Sequence, residues 1–351
     1  MPEELLTALT THSPSVGRNG SSAESVATPQ FVTGEQVAAL LDMGTCIGLM
    51  RTALIALGTG QARQMVRPVL RLDERNVLGM MPAYDPEAGV AGVKVLSVFP
   101  ENYQRGRPSH QGLILLFDAR TGAVKAIVDA EEVTAVRTAA ASAAATDALA
   151  RTDATRLAIL GTGVQARQHL KAMARVRELS ALTVWDRRSE RVEAFAQYAR
   201  EQTGLPVTAC ARVADATAAA DIICTVTAAT EPILFASDVK PGAHVNAVGS
   251  CTPKARELAS DLVAAGRVFV DWLPAALEEA GDLLLAIADG AVTERHVLGE
   301  VGSVLAGDLP GRTGPTEITV FESLGQAVQD LLAADHVFAA LQSGSGREPS
   351  A

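Results

Sequence analysis

Aromatic side chains are scarce: Phe, Tyr and Trp make up 4 % of the 351 residues. The chain is nonetheless 48 % hydrophobic, so its interior must be built from Ala, Val, Leu and Ile. At this length two domains are expected rather than one core. Cysteine is sparse too. Cys46, Cys210, Cys224 and Cys251 are scattered without CxxC or metal-like spacing, which predicts reduced thiols in a cytoplasmic protein and no metal site. No apolar run reaches the roughly 18 residues of a membrane span, and the first residues lack the basic and apolar stretches of a secretory signal. Basic clusters are missing as well. With a net charge of −10 and no Lys/Arg stripe, nucleic acid and anionic membranes are not expected partners, because neutralising phosphates needs clustered cations. Residues 1–30, rich in Ser, Thr, Gly and Pro, read as a mobile arm.

What is present is most specific at Arg156-Leu-Ala-Ile-Leu-Gly-Thr-Gly-Val-Gln-Ala166. A short apolar run meets Gly161 and Gly163, and a helix-compatible segment follows through Val164 and Gln165. Glycines at that spacing let a tight turn bring backbone N–H groups, Thr162 among them, against a diphosphate. The helix N-terminus adds partial positive charge. A second strand-like run, Leu182-Thr-Val-Trp-Asp-Arg187, ends in Asp186. An acid about 20 residues beyond the turn accepts hydrogen bonds from a ribose. A nicotinamide dinucleotide is therefore the expected cofactor. Asp186 favours a free 2′-hydroxyl and so NAD(H), whereas Arg187 and Arg188 are able to hold the 2′-phosphate of NADP(H). NAD(H) is slightly favoured, and NADP(H) stays open.

Around this motif the pattern is α/β. From Arg156 onward strands expected at 157–160, 182–186, 206–210, 221–226, 244–248 and 267–271 are interleaved with helices at 163–176, 189–202 and 213–219, which implies a parallel sheet with crossover helices. The earlier part differs. A helix is expected over 34–59, then strands at 66–72, 77–81, 90–99, 111–117 and 123–128, separated by turns and antiparallel in character. An Ala-dominated helix is expected over 134–150. Past residue 273 the text turns helical. The run 318–321 and a helix over 324–341 are expected to return to the first half.

Three basic residues stand out locally. Arg137 is the one charge in Val133-Thr-Ala-Val-Arg-Thr-Ala-Ala-Ala-Ser-Ala-Ala-Ala-Thr146. It falls near a helix N-terminus, where the dipole disfavours a cation, so it wants an anion such as a carboxylate, unless it reaches solvent or pairs with Glu131 or Glu132. Lys94 shares a strand face with Leu96 and Val98 and needs a partner or a pocket, or else guards an edge strand. Arg67 reads as an ordinary strand-start residue. Ser109-His110 has no triad partner, and no hydrolase is read from it.

Taken in order, these segments resemble the ornithine cyclodeaminase/mu-crystallin family. The matching text is Leu78-Gly-Met-Met-Pro-Ala-Tyr84, Lys94, Pro108-Ser-His-Gln111, the Arg137–Thr146 helix, the 159–166 turn, Thr227-Ala-Ala-Thr-Glu-Pro-Ile233, His244-Val-Asn-Ala-Val-Gly249, Arg256-Glu-Leu258 and Phe321-Glu-Ser-Leu-Gly325. The resemblance implies a homodimer. It implies a Rossmann doubly wound parallel-sheet domain, 137–313, inserted in an α+β substrate-binding and dimerisation domain, 31–136 plus 314–345. By motif it assigns a carboxylate clamp to Arg67, Arg137 and Lys94, and adds Thr227 and Val248 to the cofactor residues. Two departures bear on the reaction. The cyclodeaminases carry a Glu where this chain has Gly79 and an Asp where it has Cys251, and a thiol does not replace a carboxylate that orients an ammonium. The expected activity is therefore NAD(P)H-dependent reduction of small imino acids, such as pyrroline- or piperideine-2-carboxylate, to L-amino acids. Ornithine cyclisation, amino-acid (alanine-type) dehydrogenation, condensation of two substrates and non-catalytic small-molecule binding of the crystallin kind are the alternatives.

Overall fold

The computed structural model describes residues 28–345. The arm expected over 1–30 lies outside them except for its last three residues, and Gln30 already begins a strand. A first sheet of seven strands contains β1 (Gln30–Val32), β2 (Arg63–Gln64), β3 (Val69–Arg71), β4 (Val77–Asp85), β5 (Val90–Val98), β6 (His110–Asp118) and β7 (Val124–Asp129), in the order β1-β7-β6-β5-β4-β2 with β3 also on β4. Its ladder is antiparallel except at β1, which runs parallel to β7. The strand expected over 66–72 shrinks to β3, and β4 runs on to Asp85.

A second sheet is parallel throughout. It contains β8 (Arg156–Leu160), β9 (Ala181–Trp185), β10 (Val207–Ala209), β11 (Ile222–Thr225), β12 (His244–Ala247), β13 (Gly266–Val270), β14 (Val297–Glu300) and β15 (Ile318–Glu322), ordered β10-β9-β8-β11-β12-β15-β13-β14. Two expectations are corrected here. The run 318–321, expected to rejoin the first half, is inserted between β12 and β13. The stretch past 273 also contains a strand, β14. The order reverses between β8 and β11, the switch point at which such sheets bind ligands beyond their strand C-termini.

The helix expected over 34–59 is two helices, Gly34–Leu40 and Met43–Gly58, bent by 92°. Asp42 starts the second by accepting hydrogen bonds from the N–H groups of Gly44 and Thr45 at 2.9 and 3.1 Å, which is an N-cap. No single helix among the described residues is long and apolar enough to cross a membrane.

The Ala-rich helix starts at Ala130, capped by Asp129, and runs to Leu149. Fifteen of its 20 residues are buried. A helix this small-sided is buried on all faces because backbones on every side approach it closely. It lies between the sheets. One hydrophobic cluster takes in Ile114 and Leu116 of the first sheet, Ala139 to Ala145 of this helix, and Ile159 and Phe321 of the second sheet. A second cluster, with Val245, Val268 and Val320, covers the far face of the parallel sheet. The C-terminal helix begins at Ala327, three residues later than expected, and packs on the first sheet.

Candidate active site

β5 is an interior strand, flanked by β4 and β6, so Lys94 does not guard an edge. Register sets it opposite Met81 on β4 and Ile114 on β6, both buried. Its ammonium is therefore drawn under the helices. Nζ donates to Thr134 Oγ1 at 2.9 Å and to both carboxylate oxygens of Asp330 at 3.1 Å. Arg137 comes to the same carboxylate from the Ala-rich helix: Nε donates to Asp330 Oδ1 at 2.9 Å and Nη1 to Gln329 Oε1 at 3.0 Å. The anion that Arg137 requires thus comes from the chain itself, and it is neither Glu131 nor Glu132. Burial pushes Lys94 down to about 8, with Asp330 opposing and Arg137 assisting. Burial would raise Asp330, but Arg137 and Lys94 beside it hold it below the usual carboxylate range.

Arg67 completes the basic group. Nη2 donates to the carbonyls of Leu324 and Gly325, both at 3.3 Å, and lies 3.6 Å from Glu279 Oε2. Its Nε is buried with no hydrogen-bond partner. The Gly79 side of β4 leaves room for it: a Cβ there would lie 3.8 Å from Arg67 Cδ. The turn between Arg67 and Arg137 is tight. Gly325 has φ +79°, and a Cβ on it would lie 2.3 Å from Arg137 Nη1. Asp271 anchors this turn, accepting from the N–H groups of Leu324 and Gly325 at 2.9 and 2.7 Å and from Gln326 Nε2 at 2.8 Å. Burial raises Asp271 to about 6 against the pull of those hydrogen bonds. His110, exposed on the Lys94 face of β6, is held below its ordinary pKa by the surrounding protein and then by the charges of Lys94 and Arg67.

Cys251 lies in the loop after β12, on the parallel-sheet half. Its Sγ is 3.4 Å from the Val248 carbonyl and 4.0 Å from that of Ser323. Burial pushes the thiol up to about 12, with Arg67, Glu322 and Asp271 near enough to act on it. It is a neutral group at neutral pH.

The glycine turn sits at the C-terminal end of β8. Gly161 has φ +116°, and a Cβ there would lie 2.8 Å from the Val226 carbonyl, so only glycine fits. A Cβ on Gly163 would meet nothing within 4 Å. That opening faces the N-terminus of the helix Val164–Val176, where no side chain caps the first N–H groups. Val164 is exposed there, and Gln165 Oε1 is buried without a partner. Asp186, at the end of β9, accepts from Thr162 Oγ1 at 2.7 Å and from the Arg188 N–H at 2.9 Å. Arg187 and Arg188 are exposed, with Arg188 Nε 3.7 Å from Asp186. A cleft of about 260 Å³ lined by Thr162, Arg167, Glu190, Arg191, Ala194 and Phe195 opens beside the turn. An open glycine turn, an uncapped helix and an acid with spare lone pairs fit a dinucleotide.

Thr227 and Val248 mark the loops after β11 and β12. Thr227 commits both its N–H and its hydroxyl to Glu257, each at 2.6 Å, and the same buried carboxylate accepts from the Gly249 N–H at 2.7 Å. Thr227 thus fixes a loop and has no free donor to offer a ligand. Val248 is buried beside it. Sequence reasoning missed the acids that hold all this in place: Asp330, Asp271 and Glu257. For Asp330 the signal was faint, a lone acid in the apolar run Ala327-Val-Gln-Asp-Leu-Leu-Ala-Ala334.

A parallel sheet with a glycine turn at its switch point, sharing one core with a basic site on a second sheet, defines a two-lobed α/β protein with a Rossmann-type nucleotide-binding lobe. The chain belongs to the ornithine cyclodeaminase/mu-crystallin family, whose profile matches residues 28–345. It is 38 % identical over 321 residues to the ketimine reductase mu-crystallin of Mus musculus, covering 90 % of this chain and 98 % of that protein. Its fold is similar to that of Thermococcus litoralis Δ1-pyrroline-2-carboxylate reductase in complex with NADH and L-proline, with a TM-score of 0.87 and 32 % identity over 90 % of this chain and 98 % of that one. It is also similar to an archaeal alanine dehydrogenase dimer with bound NAD, with a TM-score of 0.86 and 29 % identity over 91 % and 98 % of the two chains.

Proposed function

We propose that this protein is an NAD(P)H-dependent reductase of small imino acids bearing a carboxylate next to the C=N bond. The observation that carries the reading is the convergence of three cations, Lys94, Arg137 and Arg67, in a largely buried place, with Arg67 Nε left without a hydrogen-bond partner. A buried donor without a partner calls for an acceptor, and a substrate carboxylate fits a guanidinium. When bound, the reduced nicotinamide supplies the hydride. The chain's own residues do the rest. Arg67 and Arg137 orient the substrate carboxylate, Lys94 delivers a proton to the imine nitrogen, and the neutral Cys251 leaves that nitrogen without an ion pair. Fixing such a geometry is worth up to roughly 7–11 kcal/mol of barrier. Gly79 and Cys251 speak against ornithine cyclisation, since neither offers a carboxylate to a second amine.

The test is a panel of cyclic and linear imino acids, each with NADH and with NADPH, alongside ornithine assayed for ammonia release. Cofactor oxidation with pyrroline- or piperideine-2-carboxylate is expected, faster with NADH because Asp186 stands where a 2′-phosphate would be repelled. Turnover is expected to fall as pH rises past about 8, since Lys94 then loses the proton it must give. Ammonia release from ornithine without imine reduction would replace this reading with cyclodeamination.

A homodimer is part of the same proposal. The face of the first sheet turned away from Lys94 exposes Phe31, Leu70, Met80 and Leu113, an apolar surface suited to a second copy. Sedimentation is expected to give twice the chain mass, and Met80→Arg with Leu113→Arg to halve it. A wild-type monomer would remove the dimer. The four free thiols are in keeping with a cytoplasmic location.

A further inference from the structure

We propose that Asp330 is a positioning residue of this site, holding Lys94 charged and at a set distance from Arg137 so that its ammonium can deliver a proton. The inference rests on the reductase reading above. Asp330 is the fourth residue of the helix Ala327–Ser345 and is completely buried. Its two oxygens are shared between cations that reach it from a strand and from another helix, 236 and 193 residues away along the chain. Two buried cations this close repel each other unless an anion stands between them.

The other groups facing Lys94 do not help it keep its proton. From the Ala-rich helix come neutral Thr134 and cationic Arg137, from the segment before β3 comes Arg67, and from β6 comes His110. Cys46, on the helix Met43–Gly58, is near enough to feel Arg137 and Asp330 and is itself neutral, pushed up to about 12 by burial. Asp330 is the anion among these groups. In the reduction the π bond of C=N breaks and the carbon gains a hydride from the reduced dihydropyridine. The nitrogen takes the proton that Lys94 Nζ releases, and water restores that proton afterwards. Asp330 never touches the substrate in this account; it acts through Lys94 and Arg137.

The chain has five lysines, Lys94, Lys125, Lys171, Lys240 and Lys254, so the Lys94 signal in the NMR spectrum of protein labelled with [ε-13C]lysine is identified by its loss in Lys94→Arg. In Asp330→Asn the midpoint of that signal is expected to fall by about one pH unit or more, a tenfold change in proton affinity. The alkaline limb of kcat/KM is expected to move with it. Asp330→Glu keeps the charge and shifts the cations, so it is expected to hold the wild-type midpoint while KM for the imino acid rises. An unchanged Lys94 midpoint in folded Asp330→Asn overturns the proposal. So does an Asp330→Glu variant with wild-type midpoint and wild-type KM, which also covers an Asp330→Asn protein that does not fold. If the wild type reduces no imino acid, the reductase reading fails, and the NMR midpoints still decide whether Asp330 governs Lys94.

Discussion

Lys94→Ala is expected to lower imine turnover by about 10²–10⁴-fold, the usual contribution of a placed proton donor, while NADH binds as before. The two effects separate because the residues are on different sheets. Lys94 points from β5 toward Thr134 and Asp330, whereas the open glycine turn lies beyond β8. Truncation also leaves Asp330 with Arg137 as its remaining buried cation, so some stability is lost as well. Lys94→Met fills the same space and serves as the control for packing. Fluorescence of bound NADH and steady-state rates with pyrroline-2-carboxylate measure the two quantities, and undiminished turnover in both variants would remove Lys94 from the chemistry.

Gly325→Ala is expected to damage the site without replacing a charged residue. The new methyl would lie 2.3 Å from Arg137 Nη1 and 2.8 Å from Nη2. Arg137 has nowhere to retreat, because Nε is held by Asp330 and Nη1 by Gln329. Backbone strain adds to the collision, since φ is +79° and a left-handed residue with a Cβ costs roughly 1–2 kcal/mol. KM for the imino acid is expected to rise at least about tenfold, with about 1–3 kcal/mol of stability lost to overpacking. Gly122→Ala separates the two causes. Gly122 has φ +72°, but a methyl added to it would meet nothing within 4 Å, so that variant should lose stability in urea and keep its KM. Equal KM values for the two variants would show that contact with Arg137 is not what matters.

Much of the nucleotide-binding lobe was legible because its signals are local. Strand, glycine turn, helix and the terminal Asp186 fall within about 30 consecutive residues, the span of one βαβ unit. The basic site was legible only in part. Arg67, Lys94 and Arg137 were each singled out, two from local anomalies and all three from the family resemblance. The carboxylate that joins two of them was not, because Asp330 is far away in sequence and its helix gives no hint of what it packs against. The same limit explains β15. The run Ile318–Glu322 reads as a buried strand, but nothing within it says which sheet will accept it. The bend at Leu41–Asp42 was different. Asp42 is an ordinary capping residue, and apolar spacing on both sides of it masked the break.

The Ala-rich helix has a consequence for how the molecule comes apart. Its small side chains put the interiors of both halves into one continuous apolar body, and Thr146 near its end accepts a hydrogen bond from Asn246 of β12 at 2.9 Å. Neither half can be peeled off without laying bare the flank of the other. The polypeptide should therefore melt as one cooperative unit, and a fragment cut at either end of that helix would lack the surface it needs to stay soluble.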